Sequence, residues 1–459
     1  ATMSARPSSS TGDGKRVSWK AKRTDWRKED APATRTSDQP RDLKALLEAW
    51  DGRKVEQADS PLVDQLGDDD LRALCQLVPK VELHAHLSGT ILPSTLEELH
   101  LAAGGDLKGD TRFALDEWAK TECAETTWAK TVEAFKTIQK LTASDLSVFK
   151  RIVAEAAEFY ARDGCVYWEV RTGLKRLPDK RTFLAELVAA LGVAQGKAGL
   201  VIRLLVSVDR GQSVEEAAEN IEIAIEACTA QSAAGGRGMV VGVEMGGHPL
   251  RGEWAKLEPL FAKARAAGLK VSLHFAENRG WEEEQNAILD FAPERVGHAV
   301  YMSDAIRDRL LASRIPVEVC VTCHESYYKV AAANNVFGML RSREHPAVLC
   351  CDNAGLLNTS LSNELYLVAT TFKLTPRDLA VLLRDGISAA FLEASQKERL
   401  VSESEARLMQ LLPVLSPDFV PTATARSGSA ASGWAFWGPA LVIAVGAAGV
   451  AVITVAKRR

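Results

Sequence analysis

Between about residues 76 and 412 the chain repeats one unit, a short apolar run followed by a longer stretch with helical character. The apolar runs fall at 81–87, 165–172, 201–208, 239–246, 270–277, 295–300, 317–323 and 347–353. Helical stretches such as Ser213 to Thr229 and Pro259 to Ala267 lie between them. Alternating units of this kind imply a parallel sheet. Eight of them imply α/β architecture closed into a (β/α)8 barrel of TIM type. The long insert from 90 to 150 also has helical character and is expected to cover the barrel mouth.

Four groups with metal-ligand chemistry sit at the C-terminal ends of these runs, where such barrels keep their active sites. His84 and His86 are two apart in Val81 to Leu87, so a strand points both to one side. His274 lies in the 270–277 run and Asp352 in the 347–353 run. Neutral imidazoles with a carboxylate suit one zinc ion per chain, with a water completing a catalytic site. Glu277, three residues after His274, is close enough to handle that water's protons. The expectation is a hydrolase. His100 and His345 are isolated and read as structural hydrogen-bonders. Cys320-x-x-Cys323 and Cys350-Cys351 have metal-like spacing, but in apolar strands cysteine commonly packs as a small hydrophobe.

Bulk properties narrow the setting. A net charge of -4 gives no global case for nucleic-acid binding. Eight cysteines in 459 residues are not a disulfide framework. The first forty residues are polar, without the apolar core of a secretory signal, so reduced thiols and a cytosolic barrel are expected. Residues 1–45 read as a disordered basic tail. Within it, the cluster from Lys15 and Arg16 to Lys28 is either solvated or a targeting or membrane-surface patch. The barrel spans 76–412, and a Ser/Thr/Gly-containing linker follows over 413–433. Trp434 to Ala456 is a run of 23 residues without a charge, long enough to span a bilayer. Trp434 and Trp437 suit an interface, and Lys457-Arg458-Arg459 follows the run. The reading is a monomeric barrel, facing the cytosol and tail-anchored to an intracellular membrane by a transmembrane helix.

Four runs carry a resemblance: Pro79 to Leu87, Arg203 to Arg210, Arg295 to His298 and His345 to Asp352. Over roughly 76–412 the chain resembles the adenosine/AMP deaminase superfamily of metal-dependent barrels, and within it the adenosine-deaminase-like branch that removes methylamine from N6-methyl-AMP. The resemblance implies zinc on His84, His86, His274 and Asp352. It implies that Glu277 passes a proton to the purine nitrogen beside the attacked carbon, and that His298 orients or deprotonates the attacking water. Asp352 is then both ligand and catalytic group. The expected substrate contacts are His86, Ser88, Gln139, Gly247, Asn353, Asp209 and the loop Thr172, Gly173, Leu174 and Lys175.

The chain departs from the family pattern at several pocket positions. Ser88 stands where adenosine enzymes tend to have Asp and the N6-methyl-AMP branch Asn. A neutral serine does not repel a 5′-phosphate, and Lys175 and Arg176 could pair with one. Gln139 replaces a His, Asn353 a second Asp, His248 an Asp, and Cys323-His324 a Ser-Asn pair; Ala276 also differs. The expected reaction is conversion of N6-methyl-AMP to IMP and methylamine. The alternatives are adenosine deamination, or a catalytically silent membrane-anchored member of the family. A related barrel acting on cyclic amides would need a metal-bridging lysine at a strand end, and the sequence places none there.

Overall fold

A computed structural model describes residues 47–50, 52–104, 124–142, 145–233 and 238–415. The expected tail over 1–45, the linker beyond 415 and the apolar run 434–456 lie outside the described residues. Among the described residues, no helix is long and apolar enough to cross a membrane.

Eight parallel strands pair in chain order. They are β1 (Lys80–His86), β2 (Cys165–Thr172), β3 (Val201–Asp209), β4 (Val240–Gly246), β5 (Lys270–Phe275), β6 (Arg295–His298), β7 (Val317–Val319) and β8 (Ala347–Leu349). Just past β8 the chain returns to β1 through a parallel bridge between Ala85 and Asp352. There the His86 amide donates to the Asp352 carbonyl at 3.0 Å. The barrel is thereby closed, and closure leaves no sheet edge unpaired. Leu205 on β3, Val241 on β4 and Phe391, which follows the helix Pro376–Ala389, form one buried apolar cluster.

The insert is helical as expected, with Pro93–Ala102, Ala124–Thr142 and Leu146–Arg162. The second of these packs on the turn after β1 and on the helix after β7, so it lies over the C-terminal rim.

Several strand ends are corrected. The run 317–323 was expected to be all strand, yet β7 stops at Val319 and Val321–Tyr328 is a helix. Its β-branched residues argued for strand, but the buried Glu364 carboxylate overrides them. It accepts the Thr322 amide at 3.0 Å and the Thr322 hydroxyl, satisfying a donor at the helix N-terminus. The run 347–353 likewise leaves the sheet after Leu349. The helix expected from Pro259 starts at Trp254 instead, because buried Trp254, Leu257 and Phe261 dock its first turns, and Pro259 is tolerated inside it.

The barrel interior is charged rather than aliphatic. Glu169, Arg171, Glu244, Arg295 and Glu318 are all buried to 0% exposure. Glu318 is the hub: Arg295 Nε donates to it at 2.5 Å, Arg171 Nη2 at 2.8 Å and Ser272 Oγ at 2.9 Å. Arg295 also binds Glu169 at 2.5 Å. Buried charges are tolerated only when paired and hydrogen-bonded, and here each guanidinium is.

Candidate active site

His84 is inward-facing on β1 and fully buried. Its Nδ1 meets Glu318 at 2.6 Å, which fixes the proton there and leaves Nε2 a lone pair. That Nε2 is buried with no hydrogen-bond partner. Burial, helped by the Arg171 charge, holds the His84 pKa down to about 3, so the ring is neutral. On β5, His274 is fixed in the same way, with Nδ1 2.7 Å from the Met245 carbonyl and 3.3 Å from Glu244. His274 Nε2 lies 3.3 Å from His86 Nε2. Asp352 Oδ1 is 3.4 Å from His86 Nε2 and 3.7 Å from His84 Nε2. The expected ligands therefore converge on one point, with their free nitrogens facing each other.

Nitrogen lone pairs turned toward one another need a cation between them. Burial opposes charge on His274, yet Glu277 and Glu244 outweigh it and lift its pKa to about 9. Beside the cluster, the buried carboxylates of Glu244, Glu318 and Asp352 outnumber the guanidiniums that pair with them, Arg171 and Arg295. A divalent cation would balance that excess. The donor set and the orphaned Nε2 of His84 both fit a metal ion.

Backbone strain aims the rim. Ala276, His298, Ala299 and Asp352 all have positive φ, at 56°, 75°, 53° and 61°. Non-glycine residues pay for that conformation, and such outliers gather at functional sites. At β6 the consequence is direct. Gly297 faces inward, where a Cβ would come within 2.6 Å of His84 Cε1. The left-handed turn at the next residue swings His298 toward the same cluster, 4.7 Å from the His84 ring between centroids.

Glu277 lies just past β5, buried, with its carboxylate 3.8 Å from His298 Nε2. The Tyr328 hydroxyl donates to it. Burial raises the Glu277 pKa above the usual carboxylate range, against the lowering effect of His274 and Tyr328. Burial also holds His298 well below the usual histidine value, with the neighbouring imidazoles adding to the shift. The site thus sets a carboxyl with a raised pKa beside an imidazole with a lowered one, the arrangement expected of a general acid beside a base.

The other expected contacts divide. Gly247, Asp209 and Lys175 come together across the ends of β4, β3 and β2: a Cβ on Gly247, whose φ is 101°, would meet Asp209 Oδ1 at 2.3 Å. Lys175 is half-buried, and burial lowers its pKa against the opposing charge of Asp209. Thr172 and Leu174 are buried on either side of Gly173. Ser88 is half-buried in the turn Leu87–Gly89 that follows β1. Asn353 is buried against Gly89, its amide oxygen without a partner. Gln139 is exposed on the helix over the rim. Arg176, expected beside Lys175, instead pairs with Glu219 at 2.8 Å on the outer helix Val214–Ala233, so its charge is used outside the barrel.

Sequence reasoning missed Tyr328 and the carboxylates that lock the ligands, Glu244 and Glu318. A signal for the carboxylates was present: each is one acid inside an otherwise apolar strand, as in Val317-Glu318-Val319. Tyr328 gave none, because it lies beyond the run 317–323 at the end of a helix that the sequence pattern does not show.

A closed barrel with imidazoles, a carboxylate and a buried acid gathered at its C-terminal rim defines a hydrolytic enzyme of the metal-dependent barrel class. This chain belongs to the adenosine deaminase family, whose model matches residues 79–406. It is 33% identical over 352 residues to the N6-mAMP deaminase of Arabidopsis thaliana, covering 71% of this chain and 96% of that one. It is 32% identical over 342 residues to N6-Methyl-AMP deaminase of Homo sapiens, covering 70% and 91%. The crystal structure of the Arabidopsis N6-mAMP deaminase superposes with a TM-score of 0.65 at 31% identity, covering 72% of this chain and 99% of that chain. A structure of Arabidopsis ADAL complexed with IMP gives 0.66 at 30% identity, covering 75% and 99%.

Proposed function

We propose that this chain is a zinc-dependent aminohydrolase that converts N6-methyl-AMP to IMP and methylamine, with one zinc ion held by His84, His86, His274 and Asp352. The observation that carries the reading is the acid–base pair of Glu277 and His298 beside that ligand cluster. It is supported by likeness along nearly the whole length of relatives named N6-methyl-AMP deaminases. When bound, zinc supplies the Lewis acidity that makes water a nucleophile at neutral pH. His298, neutral and next to the cluster, orients that water and accepts its proton. Attack at C6 of the purine drives electron density onto N1, and the protonated Glu277 carboxyl donates there. Tyr328 holds that carboxyl in place. Gly247 admits the purine close to the backbone. Lys175 gives the phosphate a cation, and Ser88 puts no repelling carboxylate at its own position in the turn after β1.

The test is a side-by-side assay of N6-methyl-AMP, AMP and adenosine with zinc-loaded protein. Methylamine release from N6-methyl-AMP with little turnover of adenosine is expected. Turnover of adenosine alone would overturn the nucleotide assignment, and zinc-loaded protein inert on all three would overturn the enzymatic one. Ser88→Asp should move preference from nucleotide toward nucleoside.

The charge-free run 434–456 would serve as a membrane span, holding the barrel on the cytosolic side of an intracellular membrane. Its support is the length of the run, together with seven described cysteines that are all free thiols. Sedimentation of the full chain with membranes, lost on truncation after residue 433, is the expected result.

A further inference from the structure

The ligand cluster does not end at the four residues that hold the first ion. His298, Cys323 and Asp352 bring one ligand atom each to within 4.8 Å of one another, and all three are buried. Two other triads meet the same criterion, His84 with His86 and Asp352, and His84 with His274 and His298. Asp352 is shared by the triad of Cys323 and that of His86, and a carboxylate has two oxygens to offer two cations. Cys323 reaches the site because β7 ends early: the helix Val321–Tyr328 turns the thiol inward in its first turn, where it is 1% exposed and hydrogen-bonded with Asp352. His298 keeps one ring nitrogen, Nδ1, buried without a partner. The sulfur is the distinguishing donor, since thiolate selects zinc, cadmium and other soft ions over magnesium or calcium.

We infer that His298, Cys323 and Asp352 form a second position for a thiophilic divalent cation, joined to the first through Asp352. The inference rests on the reading of His84, His86, His274 and Asp352 as the first metal site but not on the identity of the substrate. Binding there breaks the Cys323 S–H bond and releases its proton to solvent, as expected of a coordinated thiol. It also takes His298 away from the water it serves. Excess zinc is therefore inhibitory: one ion per chain activates, and a second shuts the site.

The experiment is titration of the metal-free full chain with cadmium, followed by calorimetry, by the ultraviolet sulfur-to-cadmium charge-transfer band and by cadmium NMR. Two equivalents are expected, with the band growing only with the second and one of two cadmium resonances shifted by sulfur. The C323S variant should bind one equivalent and show no band. Excess zinc should inhibit the native chain, and should leave C323S at its own one-equivalent rate. One equivalent with no band would overturn the second position and leave the first intact. A band that grows with the first equivalent would overturn it too, by placing sulfur on the primary ion. A band that persists in C323S would assign it to other cysteines. Failure to bind any cadmium would overturn both positions. The NMR of the native chain decides the question even where the variant does not fold.

Discussion

At the scale of single residues, environment rather than residue type sets the chemistry. Glu277 is an ordinary glutamate, and burial raises its pKa against the lowering effect of the Tyr328 hydroxyl that donates to it. Glu277→Gln should retain metal, because the residue is not a ligand, and lose about 10²–10⁴ in kcat. Metal analysis and turnover on the same preparation check both halves. His324 shows the cost of an imidazole without a second partner. Asn335 donates to its Nδ1 at 2.9 Å, and its Nε2 is buried and unpaired. Burial holds its pKa down to about 3. The unfolded chain binds that proton near pH 6.5, so the folded state is favoured fully above that pH and loses stability as pH falls toward 3. At pH 5 the loss from this one group is about 2 kcal/mol. His324→Asn should flatten the difference in unfolding free energy between pH 7 and pH 5 by about that amount, measured by denaturant titration.

At the scale of elements, the strands act as rails and their last residues as tools. The eight runs were legible because parallel strands in a barrel are buried on both faces and read as apolar segments. Their ends were less legible. The expected strands near 320 and 350 stop early, because the chain must leave the sheet to bring Cys323 and Asp352 over the opening. Hydropathy is the same on either side of such a turn. At β6 a single glycine makes the packing possible. Gly297→Ala would put a methyl against a His84 ring that Glu318 already locks. Overpacking of this kind costs about 1–3 kcal/mol. A lower melting temperature and weaker metal binding are expected together, and a chelator competition with a thermal melt reads both.

At the scale of the whole molecule, the charged interior joins the barrel's stability to its metal. Glu318 on β7 holds His84 on β1, Arg171 on β2, Ser272 on β5 and Arg295 on β6, five strands tied through one carboxylate. Glu318→Gln should weaken metal affinity about 10–100-fold by loosening His84. Competition against a calibrated chelator is the measurement, and an unchanged affinity would show that the hub serves packing alone. By itself the sequence determined the eight-stranded barrel and pointed to His84, His86, His274, Asp352 and Glu277 as the candidate residues of its rim. Those follow from periodicity and from residues two apart on one strand, which are local facts. Tertiary structure decided that Tyr328 holds Glu277, that Arg176 faces away, and that a thiol from a helix read as strand joins Asp352. Those depend on where the chain turns at each strand end, and each turn is set by contacts between residues far apart along the chain.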